Sequence, residues 1–62
     1  LMNYKSKAKE LAALIRKQPP VPQEIKRFMS EIHPPHKAVR VALLTIQNHG
    51  ISLDTVNELV RN

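Results

Sequence analysis

Three histidines are the side chains of this sequence that could hold a metal ion, but the residues around them argue against a metal site. His33 and His36 are three residues apart, which would place them on one face of a helix. However, Pro34 and Pro35 stand between them, and adjacent prolines do not permit a helix to run through this segment. The chain has no Cys, and no carboxylate cluster accompanies the histidines to complete the four ligands of structural zinc. We therefore expect neither a metal nor a cofactor.

The residue sets typical of an enzyme's active site are also missing from the sequence. It contains no Ser-His-acid or Cys-His set with a local signature, no glycine-rich phosphate loop and no paired carboxylates in an apolar setting. Gly50 is the single glycine, so the backbone has little means of approaching a phosphate closely. A chain of 62 residues also provides little core around which to build a pocket. We expect a protein that binds rather than one that catalyses.

Basic side chains carry the main functional signal. The formal net charge is +5 at pH 7 and the pI is about 10.1. Residues 1–40 contain nine of the ten Lys and Arg but three of the five acids, for a net charge of +6, whereas residues 41–62 carry −1. This balance favours an anionic partner, which would be nucleic acid, an anionic membrane surface or an acidic protein. The first two-thirds of the chain would supply the contact.

The elements that must position these residues are four short helices, because apolar residues recur at helical spacing between prolines and a single glycine. The second helix shows this best, with Ile25, Phe28, Met29 and Ile32 at i, i+3, i+4 and i+7. The predicted fold is all-α, a compact bundle forming one domain over 1–62, which could also be a fragment of a larger protein. The predicted helices are 4–18, 22–32, 36–48 and 53–61.

The first helix carries a group of basic residues beside its apolar stripe. Lys5, Lys9 and Arg16 fall together on a helical wheel, about a quarter-turn or more from the apolar side, since each residue advances roughly 100°. Charged runs on helices are usually solvated faces. The alternative interpretation is a ridge that contacts phosphates.

The third helix is apolar on two sides. Its broader stripe, expected to face the core, consists of Ala38, Val39, Ala42, Leu43 and Ile46. Val41 and Leu44 lie on the opposite side. Such a helix is either central in the bundle or buried on one side and covered by a partner on the other. Val41 and Leu44 are thus the candidate surface for a homodimer or a protein partner.

The third and fourth helices are joined by a very short turn. Gly50 suits the left-handed position after a helix end, and Ser52 suits the N-cap of the following helix. Ile51 and Val56 occupy the two positions of a hydrophobic staple across that cap. The last helix is expected to bury Leu53, Val56, Leu59 and Val60.

Residues 42–61 resemble a helix-turn-helix DNA-binding motif, at the level of the pattern found in repressors and resolvases. In that pattern a glycine begins the turn, an apolar residue and then Ser or Thr follow, and the second helix carries apolar positions. The residues that fit are Gly50, Ile51, Ser52, Val56 and Leu59. Ile46 departs from the pattern, because a small residue usually stands four before the glycine, and its bulk would push the helices apart. The resemblance implies that the last helix reads DNA.

The outward face of that last helix fits a recognition helix only in part. A helix that approaches a polyanion normally exposes Arg, Lys, Asn or Gln, whereas this one presents Asp54 and Glu58. Only Thr55, Asn57 and Arg61 could read bases or contact phosphate. The backbone would instead be flanked by basic residues of the second and third helices, acting as positioning contacts. These residues are Lys26, Arg27, Lys37 and Arg40.

Two functions follow as hypotheses. The first is a small basic nucleic-acid-binding domain, with DNA the expected polymer, in a transcription regulator or mobile-element protein. The alternative is a protein–protein interaction, dimerisation or assembly domain of a larger protein. No apolar run approaches the roughly 20 residues of a membrane span, and the first three residues lack the apolar core of a signal peptide. We expect a protein of the cytoplasm, or one associated with the nucleus or nucleoid, that is not secreted and does not enter a membrane.

Overall fold

A computed structural model of the chain describes residues 2–61, and this range is all-helical, with no strand. The helices are α1 (Tyr4–Ile15), α2 (Pro22–Ser30), α3 (Pro35–His49) and α4 (Leu53–Arg61). The predicted all-α bundle of four helices is therefore confirmed.

The helix boundaries follow from local chemistry at each end. Asn3 caps α1, its side-chain oxygen accepting a hydrogen bond from the Ser6 amide at 3.1 Å. Both α2 and α3 begin with a proline, where a missing N–H costs no helical hydrogen bond. The first helix ends at Ile15, three residues before the predicted end. Pro19 explains the difference, because a proline ring clashes with the carbonyl four residues before it if the helix continues.

The first and third helices make the most extensive helix–helix contact of the described chain, and they run parallel. Three interactions fix their direction: a ring contact, a buried hydroxyl near a carbonyl, and an arginine on a helix end. In order along both helices, the pairs are Tyr4–Arg40, Ala8–Thr45 and Arg16–His49. Because the residue numbers rise together in both helices, α1 and α3 point the same way.

The second helix returns the chain and is antiparallel to α1. The Lys17 amine lies 2.8 Å from a Glu24 carboxylate oxygen, joining the end of α1 to the start of α2. Lys7, near the start of α1, lies 5.5 Å from the ring centroid of Phe28, near the end of α2. The principal neighbour of α4 is α2. The bundle therefore consists of two helix pairs, α1 with α3 and α2 with α4.

The core lies where the two pairs meet. Its fully buried large side chains are Leu11, Ile25, Val41 and Thr45. Burying an aliphatic side chain of this size contributes roughly 1.5–3 kcal/mol. The Thr45 hydroxyl donates to the Val41 carbonyl one turn earlier, at 2.7 Å, and no buried polar side-chain atom of residues 2–61 lacks a partner. A threonine can occupy the core here because its own helix satisfies the hydroxyl.

The structure corrects the predicted faces of α3. Val41, predicted on a dimer or partner surface, is fully buried against the other helices, so that prediction was wrong. Val39 and Leu43, predicted in the core, are instead 58% and 55% exposed. The reason is Thr45, which occupies a core position although its side chain is polar. When Thr45 is counted among the core positions, the centre of the buried face of α3 moves to Val41. Leu44 is half-buried, beside the start of α1.

The turn between α3 and α4 has the predicted local structure. Gly50 has a φ of 64° in the left-handed region. The Ser52 hydroxyl accepts from the Thr55 amide at 3.1 Å, and the staple residues Ile51 and Val56 are both buried. The two helices nevertheless belong to different pairs, with little direct contact between them beyond the turn. The sequence resembles a helix-turn-helix at its turn more than in its packing.

The last helix buries a narrower stripe than predicted. Val56 is buried and Leu59 and Val60 are half-buried, but Leu53 is 58% exposed, so its predicted burial was wrong. Because α4 packs mainly against one helix, only a narrow face is covered.

Candidate nucleic-acid interface

The four basic residues predicted as backbone contacts lie on α2 and α3. Arg27 and Arg40 are exposed, while Lys26 and Lys37 are half-buried. The described part of the chain provides no carboxylate in salt-bridge contact with any of them. Their charges are therefore available to a ligand. The four residues do not act as a single group, because Arg40 packs on the Tyr4 ring of α1.

The three predicted contacts on α4 are all exposed. Thr55 takes part in the start of the helix, since its hydroxyl lies 2.8 Å from that of Ser52. Asn57 and Arg61 are one turn apart and share a side of the helix. Asp54 is exposed on the same helix, so a polyanion approaching α4 would meet a carboxylate as well as a cation.

A groove between the amino end of α1 and the middle of α3 brings together residues that were not combined in the predictions from the sequence. It is shallow and open, with a volume of about 570 Å³. Its lining residues are Met2, Asn3, Tyr4, Lys5, Arg40 and Leu44. Two cations, one aromatic ring and two apolar side chains therefore share one surface depression, which we call the amino-end groove.

Arg40 is held in this groove by an aromatic ring. Its guanidinium carbon lies 4.8 Å from the centroid of the Tyr4 ring, within cation–π distance, where an exposed pair contributes about 0.5–1 kcal/mol. Tyr4 is half-buried and packs against the hydrophobic core, so it forms a fixed base for the guanidinium. Arg40 itself is exposed and keeps its N–H groups accessible. The side chain is thus positioned without being neutralised.

Lys5 lines the same groove from α1. It is exposed, and none of the salt bridges of residues 2–61 involves it. Asn3 precedes it and caps the helix, so the backbone that carries Tyr4 and Lys5 is fixed by hydrogen bonds to Ser6 and Lys7. The cations of the groove come from two helices that meet only in the folded chain.

Other basic residues of the first helix have structural partners. Arg16, predicted in one group with Lys5 and Lys9, donates a hydrogen bond to the His49 carbonyl at the end of α3. A cation at this end of a helix is favourable, because the last carbonyls carry partial negative charge. Lys7 lies 3.6 Å from Glu10 and also contacts the Phe28 ring. In the alternative interpretation of this group as a phosphate-contacting ridge, only Lys5 and Lys9 would therefore remain to contact phosphate.

Tyr4 and Lys5 were not predicted from the sequence to share a site with Arg40. Tyr4 follows the apolar spacing of α1, which suggests a core role, and Lys5 belongs to an ordinary charged face. Only the parallel pairing of α1 with α3 brings them to Arg40. The sequence signal that was present is the aromatic residue directly beside a lysine at the start of a basic helix.

The described residues offer neither a cluster of metal ligands nor a membrane-spanning helix. Residues 2–61 bring no three His, Cys, Asp or Glu side chains close enough together to hold a metal ion, and His33 and His36 are exposed. No helix in this range combines the length and the hydrophobicity needed to cross a membrane.

Comparison of the chain with protein-family models, with curated proteins and with solved structures found no match.

Proposed function

We propose that this chain is a small, basic, helical nucleic-acid-binding domain, with DNA the expected polymer. The observation that carries the proposal is positive charge without matching negative charge on the first three helices. Within residues 2–61, salt bridges involve only two basic side chains, Lys7 and Lys17, although the chain has ten Lys and Arg. Uncompensated, surface-placed cations of this density are typical of a protein that neutralises phosphates.

Binding of this kind would depend on the phosphate backbone more than on base sequence. Lys26, Arg27, Lys37 and Arg40 supply charge from two helices, whereas only Asn57 and Arg61 offer α4 a means of reading bases. Contacts to phosphate position a protein but carry no sequence information. We therefore expect modest sequence preference and strong salt dependence.

Fluorescence anisotropy with labelled DNA tests this proposal. Affinity for a short duplex and for a single strand of the same composition would be measured between about 50 and 200 mM salt, where each phosphate contact contributes a slope of roughly −0.9 on duplex DNA. Neutralising Lys26, Arg27, Lys37 and Arg40 together to Gln should weaken binding and flatten the slope. Lys17→Gln is the control, because Lys17 is already paired with Glu24. A protein that binds neither polymer at the lowest salt would contradict the proposal.

A second candidate function, dimerisation or assembly with a partner protein, is favoured by the exposed apolar pair on α3. Val39 and Leu43 are one turn apart and more than half exposed, and together they replace the predicted surface of Val41 and Leu44. A domain of this size also gains stability from association. Sedimentation of the wild type against Leu43→Lys tests it. A dimer that Leu43→Lys converts to a monomer supports a homodimer, and a wild type that is monomeric at every concentration excludes one.

A further inference from the structure

The amino-end groove combines two kinds of group, basic side chains and an aromatic ring. Arg40 and Lys5 supply charge, and Tyr4 supplies a ring on which Arg40 already rests, 4.8 Å from its centroid. We infer that this groove binds one nucleotide unit of a single-stranded nucleic acid, phosphate and base together. The inference rests on the proposed function and specifies the form of nucleic acid and the place of contact.

The size of the groove fits such a unit. Its volume of about 570 Å³ lies inside the range of roughly 300–1,000 Å³ usual for small-ligand sites. It is open to solvent, as a site must be if a polymer is to lie across it. A closed pocket would admit a free nucleotide but not a strand.

The phosphate would be bound by the two cations. A guanidinium presents its N–H donors in a planar fork that matches two phosphate oxygens, whereas an ammonium acts as a point charge. Arg40 and Lys5 reach the groove from different helices, so a phosphate between them would be contacted from two sides. Neither side chain would have to leave a carboxylate first, because neither is in a salt bridge within residues 2–61.

The base would stack on the arginine and on the apolar wall. Single strands are recognised by bases stacking on aromatic rings or on Arg guanidinium planes, beside a basic track for the backbone. Arg40 is exposed and held from below by Tyr4, and Met2 and Leu44 complete the wall. In a duplex the bases are already stacked on one another, so this surface would offer a duplex its charge alone. The groove therefore favours single strands.

The test compares variants that differ in stacking from variants that differ in charge. Arg40→Lys keeps the charge but removes the planar fork, and Lys5→Gln removes a charge at an exposed position. Lys17→Gln is the matched control for Lys5→Gln, because Lys17 is an exposed lysine that lies outside the groove and is paired with Glu24. Affinity for labelled oligo(dT) and for a hairpin duplex would be measured by anisotropy at one low salt concentration, with circular dichroism to verify folding.

We expect Arg40→Lys to weaken binding of oligo(dT) by about fivefold or more, the effect of losing a stacked base, and to leave duplex affinity nearly unchanged. Lys5→Gln should weaken oligo(dT) binding more than Lys17→Gln does. Tyr4→Leu should resemble Arg40→Lys if the variant remains folded, and Arg40→Lys decides the matter if it does not.

Two outcomes separate this inference from the proposed function. If the wild type binds both polymers and Arg40→Lys leaves oligo(dT) affinity unchanged, the groove is not the site, and the nucleic-acid-binding function stands. If the wild type binds neither polymer at low salt, the proposed function fails and the inference fails with it. Equal losses for oligo(dT) and duplex in Arg40→Lys would also overturn the preference for single strands.

Discussion

The two helix pairs of this domain differ in how they are held together. In the α1–α3 pair, long-range contacts extend along both helices, from Tyr4 and Arg40 at one end to Arg16 and His49 at the other. The α2–α4 pair consists of two nine-residue helices, and on α4 only Val56 is buried while Leu53 is exposed. We therefore expect the stability of the domain to be concentrated in α1 and α3. The amino-end groove belongs to that pair, so the site we propose is built on the firmer half of the molecule.

The largest expected effect comes from shortening one leucine in each of the two pairs. Leu11 of α1 is fully buried, and Leu11→Ala should lower the free energy of unfolding by about 2–5 kcal/mol, from lost burial and the cavity left behind. Leu59 of α4 is half-buried, so Leu59→Ala should cost less than half as much. Urea denaturation followed by circular dichroism measures both. Equal losses would show that stability is shared between the pairs.

A smaller effect is expected at the corner that joins the pairs. Gly50 has a φ of 64°, and a Cβ built there would meet nothing within 4 Å. Gly50→Ala therefore introduces only backbone strain, which costs about 1–2 kcal/mol for a residue with a side chain in the left-handed region. Thermal unfolding would detect the loss. Gly50→Asn should recover part of it, because Asn tolerates this conformation better, and an Ala variant as stable as the wild type would contradict the assigned turn.

The smallest effect is expected from the surface ion pair between α1 and α2. Lys17 and Glu24 are about half exposed, with side-chain exposures of 48% and 46%, so water and salt screen their attraction. Lys17→Gln should lower the unfolding free energy by no more than about 0.5 kcal/mol, and the difference should vanish at high salt. A loss that persists at high salt would show that Lys17 contributes through packing of its aliphatic stem and not through its charge.

The number and order of the helices could be predicted from the sequence because they depend on local chemistry, and so could most of their ends; α1 and α2 end three and two residues earlier than predicted. Prolines stop or start three of the helices, and the Gly50 turn follows from residues within one or two positions of it. The apolar stripe predicted for the second helix was also correct, since Ile25 and Ile32 are buried and Phe28 and Met29 pack against the core.

The buried face of α3 could not be predicted by hydrophobicity alone. Thr45 is polar by type but fully buried, because its hydroxyl bonds to its own helix. Because the prediction left Thr45 out of the core, it placed Val41 on the surface and Leu43 in the core. The amino-end groove could not be predicted from the sequence for a different reason. Tyr4 and Arg40 are far apart in the chain, and their contact depends on α1 and α3 being parallel.

The parallel direction of α1 and α3 also gives the domain an electrical axis. Each helix carries about half a positive unit charge at its amino end and half a negative one at its carboxyl end, so two aligned helices add, while the shorter, antiparallel α2 offsets a part. Lys5, the second residue of α1, and Lys37, the third residue of α3, lie at the positive end of this axis. Arg16 lies at the opposite end and donates a hydrogen bond to the end of α3. A polyanion near the diffusing domain would therefore be attracted to the end at which α1 and α3 begin, before any contact has formed.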